Sequence, residues 1–355
     1  MSSFHKLIHG DSREIISQIP KGSVDLIITS PPYPMIEMWD ESFTLQNPLI
    51  KKALKNGNGS LAFELMHAEL NKVWKNLKRI VKPGGIVCIN IGDATRTVEK
   101  EFKLYSNHTK ITEQFLKLGF SNLPNILWRK QTNSPNKFMG SGMLPPGAYV
   151  TLEHEYILIF RKGKKKEFKP AEEKENRNQS AFFWEERNNW FSDIWDFKGI
   201  SQKMNNGVRN RSGAFPFELA YRLINMFSVK GDLIYDPFLG LGTTTFAGIA
   251  SNRNTIGVEI EKGLINHIMN TSIQNLKKEI NTFIEGRLKK HLSFVEMKEK
   301  VEGKKYFKYL NSNYGFPVMT KQEIKFLISF VKKINLTEHG FISEYFDEPL
   351  LELRI

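Results

Sequence analysis

The chain has one cysteine, Cys88, among 355 residues. A lone thiol excludes an internal disulfide and fits a reducing cytoplasm. Cys88 lies within the apolar run IVCINI, so it reads as a small core residue rather than a nucleophile. No stretch of about 18 apolar residues occurs, which argues against a membrane span. The N-terminal MSSFHKLIHGDSR lacks the apolar core of a secretory signal. No Cys/His cluster has zinc spacing, so no metal centre is expected. Internal repeats and low-complexity tracts are also missing.

What is present is an ordinary globular composition, with 40% hydrophobic and 25% charged residues. The length suits one large domain with a smaller inserted or appended region. The charge is not balanced: 51 Lys and Arg face 38 Asp and Glu, a net +13. An excess of that sign and size favours a polyanionic partner, nucleic acid first of all.

Short apolar runs without polar alternation predict buried parallel strands at VDLII, IVCINI, DLIYDPF and NTIGVEI. IHGDSREIISQI predicts a strand end, a turn at Gly10-Asp11 and a short helix. Residues 61–82 predict a helix that leads into a KPGG turn. ITEQFLKLGF predicts a helix stopped at Gly119, and AFPFELAYRLINMF predicts another. ILWRK and EYILIFRKG form a candidate strand pair. Across 261–280, Leu264, Ile265, Ile268, Met269, Ile273, Leu276 and Ile280 fall on one helical face. Between 161 and 215 no period emerges. That stretch begins with the basic RKGKKKEFK and continues with AFFWEERNNWFSDIW.

Two motifs carry chemistry. The first runs from Asp236 through Pro237, Phe238, Leu239, Gly240, Leu241 and Gly242 to Thr243 and Thr244, between a strand and a helix. Glycines there let a ligand approach the backbone. Glu259 ends the next strand, 23 residues after Asp236, a spacing suited to binding ribose hydroxyls. Thr245 stands where a dinucleotide fingerprint has its third glycine, which weakens a nicotinamide oxidoreductase reading. A nucleoside with a small polar tail fits better.

The second motif is Ser30-Pro31-Pro32-Tyr33, directly after VDLIIT. An exocyclic amine on a nucleobase is a poor nucleophile, because its lone pair is delocalised into the ring. Acceptors on its protons, such as the Pro31 carbonyl and the Ser30 hydroxyl, would pull the nitrogen toward tetrahedral geometry. The prolines stiffen the loop that holds them, and Tyr33 is a candidate stacking platform.

SPPY after VDLIIT, followed later by DPFLGLGTT, resembles the beta group of amino-methylating DNA methyltransferases of restriction–modification systems, the cytosine-N4-specific SPPY type. VKPGG, LEHEYILIFRKG and RSGAFPFELAYRLI add to the likeness, which spans roughly residues 5–275. The resemblance implies a class I S-adenosylmethionine-dependent methyltransferase fold. That is an α/β fold with a seven-stranded, mostly parallel sheet, circularly permuted motif order and an inserted target-recognition region. The strands leading to SPPY and to DPF would be central neighbours.

The resemblance also implies a division of the chain. Residues 1–160 would form the catalytic half and 161–211 the target-recognition region. Residues 212–282 would form the cofactor half, and 283–355 an extension of unassigned role. Ser30, Pro31, Pro32 and Tyr33 would be catalytic. Asp11, Phe215, Pro216, Asp236, Phe238, Gly240, Gly242, Thr243 and Glu259 would surround S-adenosyl-L-methionine. Lys164, Lys165 and Lys166 would meet DNA phosphates, with Arg187 and Asn189 reading base edges.

Serine at the first motif position implies a flipped cytosine in double-stranded DNA, methylated at N4. Adenine N6 is the competing target, and a catalytically silent DNA-binding relative is a third reading. The implied setting is the cytoplasm, with a cognate endonuclease as a possible partner acting on the same site. Asn90 and Asp93 stand where either could assist Ser30. His108 and His154 read as structural.

Overall fold

The apolar runs become strands because an all-apolar segment can be buried on both faces only inside a layered α/β structure. The computed structural model describes residues 1–130, 139–197 and 215–349. Ten strands form the main sheet. In chain order they are β1 Ser2–His9, β2 Val24–Thr29, β3 Val81–Ile91, β4 Phe120–Arg129, β5 His154–Lys162, β6 Ile194–Asp196, β7 Leu233–Asp236, β8 Asn254–Glu259, β9 Val331–Thr337 and β10 Gly340–Tyr345. Across the sheet their order is β6-β4-β5-β3-β2-β7-β8-β1-β10-β9.

The seven strands β4-β5-β3-β2-β7-β8-β1 are the expected mostly parallel sheet. Only β5 among them runs antiparallel, to both β3 and β4. β2 and β7 are parallel neighbours, with Ile234 opposite Leu26 and Tyr235 opposite Ile27. The observed sheet is wider than seven strands, and both additions lie at edges. β6 pairs parallel with β4. The hairpin β9–β10, from the part of the chain with no assigned role, pairs antiparallel with β1. An uncovered β1 would expose a row of backbone donors and acceptors, and the hairpin closes that edge.

Alternate strand residues face opposite sides. Leu26, Ile28, Ile86, Cys88, Ile157, Ile159 and Ile234 join one apolar cluster. Ile27, Val87, Ile89, Leu158, Phe160, Tyr235, Ile256 and Val258 join the other. Helices α1 Gly59–Ile80 and α2 Asn107–Lys117 cover the second face. The first face is covered by α4 Phe217–Phe227, α5 Thr243–Ala250 and α7 Ile273–Glu302; α3 Trp184–Trp190 and α6 Lys262–Met269 lie between these in sequence. Cys88 is fully buried, and burial pushes its thiol up, as suits a core residue.

Two local expectations change. The single helical face across 261–280 is divided between α6 and α7. Asn270, Thr271 and Ser272 interrupt it, with Ser272 as the N-cap of α7. KPGG is not a separate turn but the entry to β3, where the register with β2 shifts. Gly84 there has φ 82°, and a Cβ would meet the Lys166 backbone nitrogen at 2.7 Å.

Residues 171–197, expected to be patternless, are tied to the core. Arg287 of α7 donates to both carboxylate oxygens of Glu186, with Nη2 2.7 Å from Oε2. His291 bonds Glu185 at 2.8 Å and stacks on Phe183 at 3.8 Å. Residues 198–211 of the expected recognition region lie outside the described residues. Among the described residues, no helix is long and apolar enough to cross a membrane.

Candidate active site

At β2 and β7 the chain departs in opposite directions, to β3 and to β8. That switch point opens a crevice at the C-terminal ends of the strands. A cavity of about 480 Å³ occupies it. One wall is Gly10–Ser12, Pro237–Leu241, Thr243 and Val258–Glu261. The other is Ser30–Tyr33, Gly92, Asp93, Lys130 and Leu152–Glu155.

On the first wall, Gly240 takes φ 58° and Gly242 φ 83° as the chain turns from β7 into α5. Glu259 is buried at the end of β8. Its Oε2 accepts from the Gly240 amide at 2.8 Å and its Oε1 from the Glu261 amide at 2.9 Å. The acid therefore orders the glycine loop as well as facing the cavity. Asp11 lines the cavity while capping a short helix, and its carboxylate pairs with Arg13. Burial pushes the Asp11 carboxyl up, but the hydrogen bonds and charge of Arg13 outweigh that and hold it below its ordinary value. Phe215, Phe238, Gly240 and Thr243 also line the cavity.

Three expected cofactor residues do not line it. Pro216 precedes α4, and its carbonyl accepts from the Leu219 amide. Gly242 packs toward Ile268, where a Cβ would come within 3.1 Å. Asp236 points beneath the loop. It accepts from Thr29 Oγ1 at 2.7 Å, Thr244 Oγ1 at 2.6 Å and the Phe238 amide at 3.0 Å. Burial pushes Asp236 up to about 6, against the pull of the threonine hydrogen bonds.

That shift has a sign. The folded value lies above the unfolded value near 3.9. The contribution of protonated Asp236 is therefore complete below about pH 4 and is lost as pH rises through about 6. Between these values the thermal midpoint of the native chain is expected to fall relative to that of Asp236→Asn. Parallel midpoint curves across the window would refute this.

On the second wall, the double proline ends β2 and Ser30 stands half-buried at the cavity. Tyr33 is only 8% exposed. Its hydroxyl lies 3.1 Å from Ser30 Oγ, 2.9 Å from Asn90 Nδ2 and 2.9 Å from Glu155 Oε2. Asn90 Nδ2 also donates to Glu155 Oε2 at 2.6 Å, and Lys130 Nζ to Glu155 Oε1 at 3.1 Å. Asn90 thus joins the Ser30 group. Asp93 instead bonds His108 Nδ1 at 2.8 Å, and His108 stacks on Tyr156. His154, expected to be structural, stands on the cavity wall.

Glu155 and Lys130 were not singled out by sequence reasoning. A lone acid at the start of the apolar run EYILIF was the available signal.

The structure does not bring Lys164, Lys165 and Lys166 to the cavity. Lys166 Nζ bonds Asp25 at 3.0 Å and Asp232 at 2.9 Å, at the N-terminal ends of β2 and β7. Ser30 lies five positions beyond Asp25, roughly 17 Å along a strand, so Lys166 sits at the end of the strands opposite the cavity. Buried Asp25 and half-buried Asp232 attract a cation locally there, which composition could not reveal. Arg187 and Asn189 are exposed on α3, with Arg187 over the Phe191 ring at 5.0 Å; neither lines the cavity.

The strand order and the crevice define a class I S-adenosylmethionine-dependent methyltransferase fold. Residues 24–270 match the family model for DNA methylases of the N6/N4 type. Type II methyltransferase M.MthZI of Methanothermobacter thermautotrophicus is 46% identical over 347 residues, 96% of this chain and 95% of that one. M.MjaI of Methanocaldococcus jannaschii is 50% identical over 271 residues, covering 73% and 88%.

Among solved structures, TTHA0409 of Thermus thermophilus in complex with S-adenosyl-L-methionine aligns at TM-score 0.58 and 31% identity, covering 78% of this chain and 96% of that one. The cytosine-N4-specific PvuII DNA methyltransferase, at 16% identity and TM-score 0.54, shares the fold. The chain belongs to this N6/N4 family of amino-methylating DNA methyltransferases.

Proposed function

We propose that the chain methylates the exocyclic N4 of a cytosine flipped out of double-stranded DNA, and does so as the protective enzyme of a restriction–modification system. S-adenosyl-L-methionine is the methyl donor. The cavity fits it: Gly240 brings backbone to the wall, Glu259 presents a buried carboxylate, and Phe215, Phe238 and Leu264 supply apolar surface. When bound, it supplies an electrophilic methyl on a sulfonium, whose sulfur keeps the electron pair of the broken S–C bond.

The chain's own residues handle the amine. Ser30 Oγ and the Pro31 carbonyl accept hydrogen bonds from its N–H groups, which frees the nitrogen lone pair. As the nitrogen gains the methyl, one of its protons leaves to solvent. Flipping costs a few kcal/mol, to be recovered from contacts to the extruded base.

The observation that carries this reading is Ser30 at the cavity, at the position where the resembling group uses serine for cytosine. The type II names of the relatives at 46% and 50% identity support the restriction–modification setting and a partner endonuclease. Residues 1–160 and 212–282 are proposed as the catalytic and cofactor halves. Arg187 and Asn189 are proposed to meet bases flanking the target.

The expected product is N4-methylcytosine. Nucleoside mass spectrometry of digested, enzyme-treated DNA checks this. N6-methyladenine as the sole product would overturn the cytosine assignment.

A further inference from the structure

We propose that Glu155 is a positioning residue that acts through Tyr33 to make Ser30 Oγ a hydrogen-bond acceptor for a nucleobase amino group. The inference rests on the reading of Ser30 given above.

The argument is a count of protons. A phenol has one proton and accepts through its lone pairs. The Tyr33 hydroxyl has three partners: Glu155 Oε2, Asn90 Nδ2 and Ser30 Oγ. A carboxylate only accepts, so the Tyr33 proton goes to Glu155. Asn90 must present its NH₂ here. Turning the amide over would set its carbonyl oxygen against Glu155 Oε2, 2.6 Å from the present Nδ2. Asn90 therefore donates to Tyr33. Burial, followed by the charge of Glu155, pushes the Tyr33 phenol well above its ordinary value, so it stays protonated.

What remains at the Tyr33 oxygen is an acceptor site, and Ser30 fills it by donating its own hydroxyl proton. Ser30 Oγ then has only lone pairs to offer the cavity. Lone pairs suit the N–H of a cytosine or adenine amine. They oppose the carbonyl oxygen at the corresponding place on thymine or guanine. The same arrangement explains why an acid stands at the head of an apolar strand, with Lys130 on its other oxygen.

The test is a set of variants of the full chain, assayed with unmethylated duplex DNA and S-adenosyl-L-methionine. In Glu155→Gln, made with Asn90→Ala in every background, the native one included, so that no Asn90 amide can turn over and take the phenol proton, Lys130 attracts the new amide's oxygen and the NH₂ faces Tyr33. Tyr33 must then accept, its proton turns to Ser30, and Ser30 points its own proton into the cavity. We expect kcat to fall by about tenfold or more, the equivalent of one hydrogen bond lost and one opposed. The cofactor Kd should stay within about twofold, and the thermal midpoint should be kept.

In a Lys130→Met background the glutamine can turn over, so the same substitution should cost at least about threefold less. In a Tyr33→Phe background there is no phenol to transmit the change, so Glu155→Gln should add less than about twofold. Equal losses from Glu155→Gln in the native and Tyr33→Phe backgrounds would overturn the proposal, as would an unchanged kcat. Ser30→Ala separates the two levels. Full activity there removes Ser30 itself, whereas an inactive Ser30→Ala with additive Glu155 and Tyr33 effects removes only the role of Glu155.

Discussion

Ser30→Ala is expected to lower kcat for DNA methylation by about 10²-fold or more, with the cofactor Kd within about twofold of the native value. The size of the loss follows from where Ser30 acts. Its Oγ is 3.1 Å from the Tyr33 hydroxyl, on the wall of the cavity away from the glycine loop. An alanine removes an acceptor that matters as the amine nitrogen becomes tetrahedral, so the loss falls on the transition state. The side chain is half-buried and small, so no large cavity is created and the fold should hold. Single-turnover rates with saturating cofactor measure the chemical step, and calorimetry measures cofactor binding. A native rate in Ser30→Ala would move the chemistry to another group. A parallel loss of cofactor affinity would mean that Ser30 shapes the crevice rather than the amine.

Much of the fold was legible because its strands are buried on both faces. VDLIIT, IVCINI and NTIGVE show that burial as short, mostly apolar runs without polar alternation, and the motifs that follow VDLIIT and DLIYD mark the strands beside the crevice. The edge hairpin was not legible. In Val331–Thr337 two adjacent exposed lysines, Lys332 and Lys333, break the period-two pattern, which suits a loop as well as a strand. Glu155 escaped notice for a related reason. One acid at a strand entrance resembles a solvated end until the structure places Tyr33, Asn90 and Lys130 around it. Lys166 shows the reverse difficulty. A run of positive charge says that a cation is present, but not which edge of the sheet it faces. The Asp25 and Asp232 carboxylates that capture it come from segments far apart in sequence.

Glu259→Ala is expected to raise the Kd for S-adenosyl-L-methionine by about 10- to 150-fold, corresponding to about 1.5–3 kcal/mol. Two losses combine. The first is the proposed charge-assisted contact to a ribose hydroxyl. The second is visible in the protein alone: the Gly240 and Glu261 amides each donate to a different oxygen of this carboxylate. Removing it leaves both N–H groups unpaired beside the crevice and frees a loop whose glycines need unusual backbone angles. Glu259→Gln tests which loss dominates. It keeps the length of the side chain but offers one oxygen for two amides, so an NH₂ group must face an N–H. The glutamine variant should therefore bind S-adenosyl-L-methionine more weakly than the native chain despite its similar shape. Because Glu259 lies on the wall that carries the glycine loop, kcat at saturating cofactor should change less than Kd. Calorimetric titration checks the affinities. Unchanged cofactor binding in Glu259→Ala would remove Glu259 from the cofactor site and leave it a purely structural clamp on the glycine loop.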